Sequence, residues 1–142
     1  MTIRHLYILL SLVFAVALSG SAFGQFERLP TTSPGPHAAT VFGTPSYKAQ
    51  DLYEVRFTAI NGRQISPREA LWLEPGTYEL TVSIRADLGT TGPTALRRHQ
   101  APGYDTIELE LEAGKQYHVL ARYHRSGEDA GQFSVILHRV EE

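Results

Sequence analysis

The sequence predicts an all-β protein, a small antiparallel β-sandwich of six or seven strands behind an export leader. Three observations carry this. Apolar and polar residues alternate with a period of two in several short runs, glycine-bearing turn signals separate those runs, and no stretch after the leader offers a helical period of useful length. The alternation is clearest in residues 106–140, TIELELEAGKQYHVLARYHRSGEDAGQFSVILHRV. Ile107, Leu109 and Leu111 interleave with Glu108, Glu110 and Glu112. Tyr117, Val119, Ala121 and Tyr123 make the apolar row of a second strand, and Phe133, Val135 and Leu137 that of a third. Each strand has one wet face, so two layers are needed to bury the dry ones.

From the N-terminus, residues 1–24 read as a secretory signal peptide. Arg4 and His5 supply a positive start, residues 6–18 are mostly apolar, and Ser19, Gly20, Ser21 and Ala22 supply small residues for cleavage. That apolar run falls short of the roughly 20 residues that cross a bilayer, so no membrane span is expected after cleavage. Residues 25–50 carry Pro30, Pro34, Pro36 and Pro45 and read as a proline-rich tether, because proline removes the backbone donors that sheets need. Within it His37-Ala38-Ala39-Thr40-Val41-Phe42 is short and apolar enough for an edge strand.

The domain proper is expected over residues 51–142. Tyr53, Val55, Phe57 and Ala59 lie to one side of a strand and Glu54, Arg56 and Thr58 to the other. Asn61-Gly62 then supplies the two positive φ angles of a tight hairpin turn. Leu71-Trp72-Leu73 precedes Glu74-Pro75-Gly76, which reads as a type II turn. Tyr78, Leu80, Val82, Ile84 and Ala86 alternate with Thr77, Glu79, Thr81, Ser83 and Arg85 in the cleanest strand. Residues 87–105 hold Gly89, Gly92, Pro93, Pro102 and Gly103 without a sustained period, a connection of the length that tends to carry function.

Composition narrows the function classes. There is no cysteine, which excludes disulfides and a lipid-modified N-terminal cysteine. Thirteen Lys and Arg stand against 15 Asp and Glu; loss of Arg4 with the leader leaves 12 against 15, a net charge of −3. That balance points away from nucleic acid and anionic membranes as partners.

The order of turn motifs resembles small exported bacterial β-sandwich domains of the DUF2846-like and PEGA-like groups. The residues that carry the resemblance are Ile60-Asn61-Gly62-Arg63, the phrase from Leu73-Glu74-Pro75-Gly76 to Thr81-Val82, and Leu111-Glu112-Ala113-Gly114-Lys115-Gln116-Tyr117. The resemblance covers about residues 53–123 and implies an immunoglobulin- or prealbumin-like sandwich and a non-enzymatic envelope module. The chain departs from the pattern in lacking a lipobox cysteine and in inserting residues 65–70 before the Pro-Gly turn.

Motifs for nucleophile, metal and phosphate chemistry are missing: there is no G-x-S-x-G, no H-E-x-x-H and no glycine-rich loop ending in Lys-Ser or Lys-Thr. Glu108, Glu110 and Glu112 share a strand face, where a solvated row is the plain reading. Two binding candidates stand out. Trp72, the one tryptophan, is either a stacking platform for a sugar or peptide or a core residue. Arg97, Arg98 and His99, in the long connection, offer forked donors for an anion. If His124 opposes Gln132 across the last hairpin, His118 falls opposite His138, and two imidazoles at that spacing are metal-ligand candidates that still lack a third ligand. The sequence therefore predicts a non-catalytic exported module, periplasmic or extracellular, binding or bracing an envelope protein or cell-wall glycan and needing no cofactor. The alternative is a small metal-dependent or hydrolytic protein that uses the strand histidines.

Overall fold

A computed structural model describes residues 28–86 and 100–142. The leader at 1–24 and the Arg97, Arg98 and His99 candidates lie outside the described residues. Among the described residues the strands in chain order are β1 (Ala39–Phe42), β2 (Leu52–Ile60), β3 (Arg63–Arg68), β4 (Ala70–Leu73), β5 (Gly76–Arg85), β6 (Thr106–Leu111), β7 (Gln116–Tyr123) and β8 (Phe133–Glu141), with a 3-10 turn at Lys48–Gln50. The protein is all-β, as its alternation predicts, and among the described residues no helix is long and apolar enough to cross a membrane.

The eight strands make one mixed sheet in the order β4-β1-β7-β2-β5-β6, with β3 beside β2 and β8 beside β7. The sheet folds over at β2. Leu52 and Tyr53 pair with β7, and from Glu54 onward the same strand pairs with β5. One layer is thus β4-β1-β7-β8 and the other β3-β2-β5-β6, a small sandwich hinged on a shared strand. Between the layers lie Val41, Val55, Phe57, Leu73, Leu80 and Val119, all fully buried. At roughly 1.5–3 kcal/mol for each buried side chain of this size, these contacts dominate the stability.

The alternation placed the inner rows correctly except at Leu137, which is 40% exposed near the end of β8, and the layering differs from expectation in four ways. First, the described residues alone hold eight strands, because residues 63–68 form β3. Five of its six side chains are exposed and it contains Pro67, so it carries no apolar period; it is an edge strand returned against β2 by the Asn61-Gly62 turn, whose φ angles are 49° and 76°. Second, the 39–42 strand is no edge and the segment before it no free tether. β1 lies between β4 and β7, with Ala39 and Val41 fully buried, and residues 30–32 bond along the far side of β4. Third, the sandwich is not purely antiparallel. β4 and β7 run in opposite directions, so a strand between them must be parallel to one, and β1 is parallel to β7. Fourth, Glu74-Pro75-Gly76 is not a type II turn within a hairpin. Gly76, at φ 155°, already belongs to β5, and the two residues before it carry the chain from one layer to the other.

Both later crossings between layers are tied by a tyrosine. Tyr78 Oη donates to the carbonyl of Glu74 at 2.8 Å, and Tyr117 Oη accepts from the backbone N–H of Glu112 at 2.8 Å. Each bond occupies a corner backbone group that no strand ladder serves. Burial raises the Tyr78 phenol above its usual pKa, helped by the nearby charge of Glu74. Gly43 serves a third tight place: a β-carbon there would collide with the Val55 carbonyl, in the same contact where Val55 N–H donates to Gly43 O at 2.9 Å.

Candidate functional site

The outer face of the β4-β1-β7-β8 layer collects the side chains that strand parity turns away from the core. Leu71 and Leu73 are buried at 1% and 0% exposure in the main core, so Trp72 between them points outward and is half-buried. The core reading of Trp72 therefore gives way to an outward indole. Across the sheet its row continues through registered partners: Trp72 opposes Thr40, Thr40 opposes Gln116, and Gln116 opposes Glu141. The next row is Ala70, Phe42, His118 and Arg139. Within it the rings of Phe42 and His118 stack at 5.3 Å with 26° between their planes. Glu141 ties the two rows together, with Oε2 3.3 Å from His118 Nε2 and Oε1 2.9 Å from Arg139 Nε.

Further down the same face, Leu52 and Leu120 also point outward, yet both are buried and stand outside the main core cluster. The connection 43–51 folds back over them. Tyr47 exchanges backbone bonds with Leu52 at 2.8 and 3.2 Å, and its ring lies 5.2 Å from that of His138. One half of the face is therefore roofed by the chain itself. The half bearing Trp72, Thr40, Gln116 and Glu141 has no such roof among the described residues, and Gln116 and Glu141 are exposed.

The histidines are not brought together as a metal pair. From Tyr123–Phe133 to Val119–Leu137 the hairpin follows the expected register, then shifts by one residue, so that His118 opposes Arg139 and His138 is the extra residue of a bulge. His118 turns to Glu141 and Phe42, His138 to Tyr47, and His124 at the far end places Nε2 2.9 Å from Ser134 Oγ. Among the described residues no three His, Cys, Asp or Glu side chains are grouped to hold a metal ion. Glu108 and Glu110 stand exposed on the outer face of the other layer, while Glu112 reaches Lys115 Nζ at 2.7 Å and raises that lysine's pKa through the hydrogen bond and its charge.

No family model, no curated protein and no solved structure matches this chain.

Two other features are structural in character. Arg125 grips both oxygens of the Asp51 carboxylate through Nε at 2.7 Å, which holds that carboxyl below its usual pKa and fastens the β7–β8 loop to the start of β2. A recess of about 250 Å3 lined by Leu29, Thr31, Ile65, Ser66, Arg68 and Leu71 is below the usual size of a small-molecule site. Sequence reasoning singled out Trp72 but missed Thr40, Gln116 and Glu141, of which Thr40 comes from β1 and the other two from the outer ends of the β7–β8 hairpin. Parity within each strand marks them as outward; the neighbour relations exist only once β1 is placed between β4 and β7.

Proposed function

We propose that this chain is a non-catalytic exported module that binds or braces a partner at the cell envelope or surface, in the periplasm or outside the cell. The observation that carries the reading is the outward Trp72 on a sheet face that the described residues leave unroofed, since a large aromatic group there gives area to a ligand and none to the core. The leader-like residues 1–24 and the turn motifs that resemble exported sandwich domains support it. The separate engagement of His118, His124 and His138 argues against a convergent hydrolytic or metal-dependent site.

Co-sedimentation with purified cell envelopes tests this. The mature protein is expected in the pellet and a folded Trp72→Ala variant in the supernatant. Absence of the wild type from the pellet would sink the reading. One-to-one zinc binding, lost in both His118→Ala and His138→Ala, would bring the metal-dependent alternative forward instead.

A further inference from the structure

We infer that the half of this face left unroofed by the described residues binds an uncharged, β-linked glycan lying across the strands, with one sugar over Trp72 and its neighbours over Thr40, Gln116 and Glu141. The inference rests on the module reading above and names its ligand. Neighbouring strands stand about 4.8 Å apart, close to the advance per ring of an extended β-linked glycan, so successive rings meet successive strands. The chemistry of the row changes along it in the way such a ligand needs. The indole offers a flat apolar surface to the C–H face of a pyranose. The Thr40 hydroxyl and the Gln116 amide can each donate and accept, and the Glu141 carboxylate only accepts, which suits hydroxyl groups that do both.

Glu141 is also held in place before any ligand arrives. His118 and Arg139 each engage a different oxygen of its carboxylate, and each oxygen keeps further lone-pair capacity for a sugar hydroxyl. Arg139 balances its charge, and Trp72, Thr40 and Gln116 are neutral, so the row matches a neutral ligand better than a polyanion.

A peptide fits this site less well. Peptides that join sheets do so by adding to a free edge, and the edge beside Trp72 is taken. Thr31 bridges to Leu73, Thr32 N–H donates to Trp72 O at 2.9 Å, and Glu74 N–H donates to Pro30 O at 2.9 Å. Beside Trp72 what is left free is the flat of the sheet, and a chain of rings lies on a flat surface.

The test uses three soluble probes on the mature protein: chitotetraose and cellotetraose, which are β-linked and extended, and maltotetraose, which is α-linked and curved. Trp72 is the only tryptophan, so a change in emission reports this site alone. Either β-linked probe should shift the emission to shorter wavelength and saturate, and whichever binds more tightly distinguishes an amino-sugar glycan from a plain hexose one. Maltotetraose should bind at least tenfold more weakly. Gln116→Ala, an exposed substitution that leaves the core untouched, should weaken β-linked binding fivefold or more with the melting temperature unchanged. Trp72→Ala should abolish binding by calorimetry, and should it fail to fold, Gln116→Ala carries the test. No response to either β-linked probe, an equal response to maltotetraose, or unchanged affinity in Gln116→Ala would overturn the inference. Envelope co-sedimentation in the face of such a result would leave the module reading standing and remove the glycan alone; loss of both would remove both.

Discussion

Among single residues, Trp72 shows how far local pattern reaches. Its own chemistry is equally at home in a core or on a platform, and the two leucines beside it decide the matter, because period-two alternation cannot bury three consecutive residues on one face. Asp51 shows the opposite case. Nothing in the sequence links it to Arg125, 74 residues away, yet the two form a forked ion pair with Nη2 to Oδ1 at 2.6 Å. The Arg125 hydrogen bond and charge lower the folded-state pKa of Asp51 against a smaller opposing effect of burial. A depressed carboxyl pKa contributes stability that is fully present above the unfolded value, about 3.9, and is lost as pH falls through the folded value. Asp51→Asn keeps a residue suited to the left-handed φ of 56° found there while removing the charge. Its deficit relative to the wild type should be constant above about pH 5 and should shrink below about pH 4. Urea midpoints measured from pH 7 to pH 3 would show this, and a deficit that stays constant down to pH 3 would refute it.

Elements whose two faces differ could be read in advance, and elements whose faces are alike could not. β5 and β6 were legible because apolar and polar residues alternate in them, and β7 through its row Tyr117, Val119 and Ala121, although its other face is also buried at His118 and Leu120; β3 was invisible because both of its faces are wet. The bulge in β8 left a fainter mark. Leu137 and Val140 are three apart where an unbroken row requires two, and that single irregularity is what separates His118 from His138. Because His138 is the surplus residue, its deletion should preserve every inward and outward assignment from Gln116–Glu141 to Tyr123–Phe133. The expected loss is about 1 kcal/mol, from the ring contact with Tyr47. Deleting Ser134 instead would force a register slip that turns Phe133 out of the core, and the protein should not fold. Thermal melts of the two deletions compare them directly, and equal damage would mean that the bulge is not where the register shift places it.

For the whole molecule, stability depends on the apolar cluster between the layers. Leu109→Ala removes a buried side chain and should cost about 2–5 kcal/mol, whereas Glu110→Ala, its exposed neighbour, should stay within about 0.5 kcal/mol of the wild type. Denaturant titration of the pair gives both numbers, and a reversed order would invert the assigned faces. The all-β class and the inner rows followed from alternation. The order of strands did not, because which strands become neighbours depends on where β1 inserts, and that is settled by the burial of Ala39 and Val41 against residues that lie remote in the chain.

That β2 belongs to both layers has a mechanical consequence. In a sandwich of two separate sheets, either can loosen while the other holds, but here the backbone that pairs with β7 at Leu52 and Tyr53 is continuous with the backbone that pairs with β5 from Glu54. Fraying in one layer pulls on the ladder of the other. The slowest amides, those in the middle of β2 that pair with β5, should then exchange with deuterium only when the entire domain opens, so one cooperative event sets the lifetime of both layers.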